Sequence, residues 1–264
     1  MAKVNTAVKE KNINLNKVNV TGRLVADPET LTTKNDRFLH KLRIAINRTY
    51  KGKEMTSFID VEMFSNEEIQ LKKGQQVYVD GRVASDEWEK DGTFHHKTKI
   101  QAFNIMPTKM SGNDINKVFV SGRLVKDPIV VKVAENRSAI KFRLAVNRIY
   151  KQKGEKREWK QMTEFIDVVQ FGTTDYIAQL ASKIAKGKFV YIQGYLLQES
   201  WETALGEKRS KVVVVAEQIN ISVLKNSNNN NDKTASSSSE STSSSEIEEE
   251  LESLDEIDEI ETPF

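Results

Sequence analysis

Asn16-Lys17-Val18-Asn19-Val20-Thr21-Gly22-Arg23-Leu24 returns one hundred residues later as Asn116-Lys117-Val118-Phe119-Val120-Ser121-Gly122-Arg123-Leu124. Both copies run on to an Asp-Pro, at Asp27-Pro28 and Asp127-Pro128. The same offset relates Ala45-Ile46-Asn47-Arg48-Thr49-Tyr50-Lys51 to Ala145-Val146-Asn147-Arg148-Ile149-Tyr150-Lys151. It grows to 107 between Phe58-Ile59-Asp60-Val61 and Phe165-Ile166-Asp167-Val168. It reaches 113 between Lys73-Gly74 and Lys186-Gly187, and between Trp88 and Trp201. A repeat of this length means two copies of one structural unit, the second carrying two insertions.

Within each unit the apolar residues alternate with polar ones, as in Val18/Val20, Ile44/Ile46, Ile59/Val61/Met63 and Val77/Val79. Period two is the signature of strands with one buried face. Each unit reads as about five strands, with one helix between the third and fourth. In the second copy Thr173-Thr174-Asp175 supplies a helix N-cap region. Ile177, Leu180, Ala181 and Ile184 follow at helical spacing, and Gly187 is placed as the stop. The first copy compresses this to Ser65–Lys73, about two helical turns. The fold class expected is all-β, a small closed barrel with one short helix per unit, because closure removes sheet edges. The five-stranded member of that class is the OB-fold, whose barrel face takes oligonucleotides. The chain divides into a polar arm at 1–15, a first barrel at 16–108, a linker at 109–115, a second barrel at 116–224 and a tail at 225–264. The Asn and Ser runs of the tail and its acidic end have too little apolar content to fold alone.

Charge is distributed unevenly. The net charge is only +2, but residues 226–264 hold twelve acids against one base, leaving 39 bases against 26 acids in the rest. A basic body points to a polyanionic partner; a solvated surface is the plainer reading of the same excess. There is no cysteine, hence no disulfide or thiolate metal site. The N-terminus lacks the apolar block of a signal peptide, and the longest aliphatic run, Val212–Ala216, cannot cross a bilayer. A soluble, cytoplasmic, nucleoid-associated protein is expected.

Strand parity locates the candidate site. With Ile59, Val61 and Met63 facing inward, Phe58 and Phe64 face outward among charges. Phe165 and Phe171 do the same in the second copy. Core packing is the usual fate of a strand phenylalanine, but parity argues against it in both copies. Outward aromatics on a basic barrel can stack unpaired bases without reading sequence. Trp88 and Trp201 sit on polar hairpins, as fingers or as interface residues. Tyr50 and Tyr150 end strands beside Arg48, Lys51 and Lys151. The second-copy insertion interleaves Lys153, Arg157 and Lys160 with Trp159, the mixture of phosphate and stacking groups that single strands require. No catalytic motif, cofactor fingerprint or metal-ligand spacing is present. His95 and His96 are adjacent on a strand and point to opposite faces. Asp60, Glu62 and Asp167 would be the carboxylates of a nuclease, but they do not form a converging motif.

The quoted stretches, together with Phe142–Lys151, Thr163-Glu164-Phe165 and Val190-Tyr191-Ile192, resemble bacterial-type single-stranded DNA-binding proteins, in the version with two OB-folds per chain. The resemblance implies that Tyr50, Phe58, Phe64 and Trp88 in one barrel, and Tyr150, Phe165, Phe171 and Trp201 in the other, stack on bases. Its members usually carry tryptophan at the first two of these places and a basic residue before the hairpin tryptophan. Here that residue is Glu87 or Ser200, and Asp60 and Glu62 share the first stacking face, so the second barrel is expected to bind more tightly. The resemblance also implies a partner-binding tip, Asp258-Glu259-Ile260-Glu261 and Pro263-Phe264, where Thr262 replaces an apolar residue. It further implies a homodimer presenting four barrels, acting in replication, recombination and repair. An RNA-binding or RNA-chaperone protein, and an adaptor in which only the second barrel binds nucleic acid, are the alternative readings.

Overall fold

The computed structural model describes residues 14–33, 36–90, 92–151, 159–203, 206 and 208–222. Twelve strands and one helix account for nearly all of them. The first unit consists of β1 (Asn16–Leu24), β2 (Glu29–Thr32), β3 (Phe38–Tyr50), β4 (Lys53–Ser65), β5 (Gln76–Lys90) and β6 (Thr93–Pro107). The second repeats it as β7 (Asn116–Leu124), β8 (Ile129–Ala134), β9 (Arg137–Lys151), β10 (Trp159–Thr173), β11 (Phe189–Glu202) and β12 (Lys208–Ile221), with α1 (Thr174–Ala181) after β10. In each unit the first strand pairs with both the third and the fifth, and the fourth runs parallel to the sixth, which closes the barrel. The all-β class and the two OB-folds expected from the sequence are what the chain forms.

The alternating residues fill the barrels. Val18, Val20, Ile44, Ile59 and Ile100, and their counterparts Val118, Val120, Leu144, Ile166 and Val214, are fully buried. Six strands per unit replace the expected five, because β2 and β8 form separately after the Asp-Pro. These edge strands are mostly exposed, so they carry no strong buried alternation. The Asp-Pro itself has a structural task. Asp27 Oδ1 accepts from Lys73 N at 2.7 Å, and Asp127 Oδ1 accepts from Lys186 N at 2.7 Å. Each carboxylate thus anchors the loop that precedes the fifth strand.

Two helix expectations need correction. In the second unit α1 starts as read, with the Thr173 side chain accepting from Tyr176 N and Ile177 and Leu180 buried. It ends at Ala181, however, one turn before Ile184. Gly187 is therefore not its stop. Its N–H donates to Leu124 O at 2.8 Å, as Gly74 N does to Leu24 O, so both glycines turn the chain into the fifth strand. The first unit has no helix at 65–73. There the Glu67 carbonyl is engaged by Ser65 Oγ and by the buried ring of His40 at 3.1 Å. Side-chain capture of a backbone acceptor competes with a helical turn, and the segment instead packs Leu71, with the partly buried Ile69, against the core.

The two barrels are joined strand to strand. β1 pairs antiparallel with β7 in the register Asn16↔Val120, Val18↔Val118 and Val20↔Asn116, which relates the units by an approximate twofold axis and makes one continuous sheet. The linker is strapped down beside this seam. Asp114 accepts from Thr21 Oγ1 at 2.9 Å, from Gln76 Nε2 at 3.1 Å and from Asn47 N at 2.8 Å. The long hairpins then reach over the opposite barrel, β5 toward β10 and β11 toward β4. Among the described residues no helix is long and apolar enough to cross a membrane.

Each sixth strand bulges opposite a glycine of the fifth, at Phe103 opposite Gly81 and at Glu217 opposite Gly194. A Cβ at Gly194 would fall far inside contact distance of the Val215 carbonyl. Backbone cannot yield as a side chain can, so Gly194→Ala should destabilise the protein by about 3 kcal/mol, read as a lowered urea midpoint; an unchanged midpoint would show that the bulge relaxes.

Candidate nucleic-acid interface

The outward face of β3, β4 and β6 and its counterpart on β9, β10 and β12 carry the aromatic residues singled out by parity. Phe58 and Phe64 are exposed by 39% and 44%. Each lies under a guanidinium, with Arg43 and Arg37 both 5.8 Å from the respective ring centre. The acids between them are committed to bases. Asp60 meets Lys97 at 2.7 Å and Arg43 at 3.9 Å; Lys99 bridges Glu62 at 2.7 Å and Asp86 at 2.5 Å. Burial alone would push the Lys99 ammonium down, but Asp86 and Glu62 outweigh it and hold it above the ordinary lysine value.

The second face has the same frame and different chemistry. Phe165 and Phe171 point outward and are half-buried. Where the first face has Glu62, Lys99 and Gln101, the second has Val169, Val213 and Val215, which pack with Ala139 into an outer apolar cluster. Phe171, Tyr195 and Leu197 pack against its edge. Its one inner acid, Asp167, meets Arg143 at 2.8 Å and Lys211 at 3.9 Å. Burial opposes the charged form of Asp167, yet the Arg143 hydrogen bond and charge, with Lys211, keep its carboxyl below the ordinary range. Beside it a cavity of about 60 Å³ is lined by Lys126, Lys141, Arg143 and Lys211 with Glu199 opposite. Burial lowers the Lys141 ammonium, partly offset by Glu199. This face therefore offers apolar surface ringed by cations, whereas the first offers aromatics among closed ion pairs.

The remaining residues separate into three groups. Trp88 is exposed on the β5–β6 hairpin but stacks on His95, with ring centres 5.4 Å apart and planes 16° off parallel. Trp201 is half-buried opposite Arg209, and Trp159 is 69% exposed at the start of β10, followed by the exposed Lys160. Tyr50 ends β3 under Arg48 and Lys51, and Tyr150 lies near Arg148. Arg48 also belongs between the barrels, because its guanidinium lies 3.9 Å from the ring centre of Tyr195. Lys151 closes β9. Lys153 and Arg157, and the tip residues Asp258, Glu259, Ile260, Glu261, Pro263 and Phe264, lie outside the described residues. Sequence reasoning passed over Phe103, 61% exposed. The bulge at Gly81 leaves it unpaired on β6 and turns its side chain outward; the only hint is the broken alternation after Ala102.

The two barrels match a single model in turn. The description of that model is the single-strand binding protein family, and it matches residues 15–107 and 115–222. The chain belongs to this family. Relatives in the family include the single-stranded DNA-binding protein of Thermus aquaticus, 28% identical over 160 residues, covering 55% of this chain and 58% of that one. The Aquifex aeolicus protein of the same description is 36% identical over 107 residues, covering 40% of this chain and 69% of that one. The chain thus spans little more than half the length of the Thermus relative. The crystal structure of the wild-type Thermus aquaticus protein shares the fold at a TM-score of 0.64 and 22% identity, over 83% of this chain and 98% of that one.

Asp167 gives a pH signature. Its folded value is lowered, so the stability it contributes is full above the ordinary value of 3.8 and is lost as pH falls through the folded value. Between pH 5 and about pH 2 the thermal midpoint should therefore fall more steeply for the parent than for Asp167→Asn. Parallel curves would mean that the carboxylate is no better placed in the fold than in the unfolded chain.

Proposed function

We propose that this chain coats single-stranded DNA without reading its sequence and without catalysing a reaction. The observation that carries the reading is the repeated outward aromatic pair, Phe58/Phe64 and Phe165/Phe171, set among arginines and lysines on both barrels. Bases would stack on these rings and on Tyr50, Tyr150, Trp88 and Trp201. Lys51, Lys151, Lys153, Arg157 and Lys160 would follow the phosphates, with Trp159 alongside. Stacking is worth about 1–3 kcal/mol per base, a figure drawn from proteins of this very kind. The strand carboxylates Asp60, Glu62 and Asp167 each engage bases, which favours a binding role over a nuclease.

The second barrel should bind more tightly. A strand entering the first face competes with ion pairs already formed and with guanidinium groups already over the rings. Among the described residues the second face has fewer such pairs to open. A second copy of the chain would complete an assembly of four barrels. The outward side of the joined sheet, with Tyr78, Phe119 and Tyr191 around the β1–β7 seam, is the surface that supports this reading. The acidic tip at 258–264 would recruit DNA-processing partners, its terminal Phe264 filling an apolar pocket and its acids meeting bases. Coating with such recruitment would serve replication, recombination and repair.

Anisotropy of labelled oligo-dT, matched duplex and oligo-U, at low and high salt, tests the reading. Tight binding to oligo-dT that weakens as salt rises is expected; equal affinity for duplex would overturn it, and preference for oligo-U would turn it toward RNA. Phe165→Ala and Trp201→Ala should each weaken oligo-dT binding by about 5- to 150-fold. Phe58→Ala and Trp88→Ala should cost less, and the reverse order would contradict the ranking of the barrels.

A further inference from the structure

The β1–β7 seam cannot choose its partner. Its inward residues are Val18 and Val20 on one strand and Val118 and Val120 on the other. Backbone pairing is blind to the rest, so apart from the short linker that tethers the two barrels of one chain, nothing in the seam itself favours a first with a second over two first barrels. Selection has to come from beside the seam, where the copies differ.

The twofold relation creates two equivalent crossings. In one, Arg82 of β5 forms an ion pair with Glu164 of β10, with side chains only 10% and 5% exposed. Ser85 completes the site, its N and Oγ donating to Glu164 Oε2 at 2.9 and 3.3 Å. In the other crossing both members of the pair are replaced, while Arg148, which feels the charges of Arg82 and Glu164, is kept as Arg48. Tyr195 stands where Arg82 does, Ser57 where Glu164 does and Gln198 where Ser85 does, by the repeat offsets of 113 and 107. Here Gln198 N donates to Ser57 Oγ at 3.2 Å, Phe58 N donates to Gln198 Oε1 at 3.0 Å, and Arg48 stacks on Tyr195.

We infer that the Arg82–Glu164 pair is a pairing-selection device that makes each barrel accept only its unlike repeat. Two first barrels would set Arg82 against Ser57 at both crossings, near Arg48, burying cations without a carboxylate. Two second barrels would set Glu164 against Tyr195, removing Arg82 and its hydrogen bond and leaving only Arg148 of its own barrel as a nearby cation. Breaking a buried pair in this way is far more costly than the pair itself is stabilising, and a penalty on the wrong partner is how a surface gains specificity. Without it, like-with-like pairing between chains would leave unpaired barrels and lead to open, non-closing assemblies.

The absence of cysteine allows a direct readout. In the seam register Lys17 faces Phe119 and Asn19 faces Lys117, so in a seam between two first barrels residue 17 of one chain would face residue 19 of the other. Because residues 17 and 19 also lie on the outward face proposed for a second copy, the readout is made in a full-length Tyr78→Glu/Tyr191→Glu chain, which closes that face; there Lys17→Cys/Asn19→Cys reports first-with-first pairing as a covalent dimer after mild oxidation. Two backgrounds abolish the selection by opposite chemistry. Arg82→Tyr/Glu164→Ser copies the neutral crossing onto both sides, and Ser57→Glu/Tyr195→Arg copies the charged one. Each should raise the dimer yield roughly tenfold over the parent background, the response to ~1.4 kcal/mol of lost discrimination. The increase in either background that keeps its β-rich circular dichroism supports the inference. An unchanged yield in a folded background overturns it. So does loss of folding in both, because the pair would then serve stability rather than choice.

Discussion

The antiparallel pairing of β1 with β7 about Val18 and Val118 is the constraint on which the rest of the molecule rests. A lone barrel of this kind leaves the outer edge of its first strand as a row of unpaired N–H and C=O groups, and such an edge invites association. Here each unit satisfies the other's edge. The seam is extended at both ends, where Thr21 N donates to Ile115 O and Ser121 N to Leu15 O, each at 2.8 Å. Once this pairing is fixed, the twofold relation follows. So does the reach of each long hairpin over the opposite barrel, and so does the outward orientation of both aromatic faces.

On that symmetric frame the chain writes two different surfaces. The backbone register is kept residue for residue, while Glu62, Lys99 and Gln101 become Val169, Val213 and Val215. The consequence is electrostatic. The first face closes its charges into four ion pairs over Asp60, Glu62 and Asp86, whereas among the described residues of the second face Arg143 and Lys211 share the one carboxylate of Asp167. The inter-barrel crossings break symmetry in the same manner, charged on one side and neutral on the other. The frame is common to both units, and the differences lie at a handful of positions on their outward faces and crossings.

The sequence alone made a large part of this legible. The repeat, the period-two alternation and the Thr173 cap are local or self-referential signals, and they led to two OB-folds, one helix start and outward phenylalanines. What was not legible depends on two bodies meeting. Arg48 reads as a strand-end base beside Tyr50, yet its ring partner Tyr195 lies on the other barrel. Nothing in the sequence pairs Arg82 with Glu164, which lie on different barrels. Phe103 is hidden by a bulge that shifts parity by one residue. The missing first helix turns on His40, a residue far from 65–73 in sequence that captures a carbonyl there. Each of these is a contact between segments that no window of sequence contains together.

Amide hydrogen exchange of the full chain with and without oligo-dT tests the central claim most directly, since it reports both barrels at once. The account predicts slowed exchange at the ends of β9 and β10 and along the β11–β12 hairpin, with weaker protection at the matching ends of β3, β4 and the β5–β6 hairpin. Protection confined to the outward side of the joined sheet, or no change on either barrel face, would contradict it.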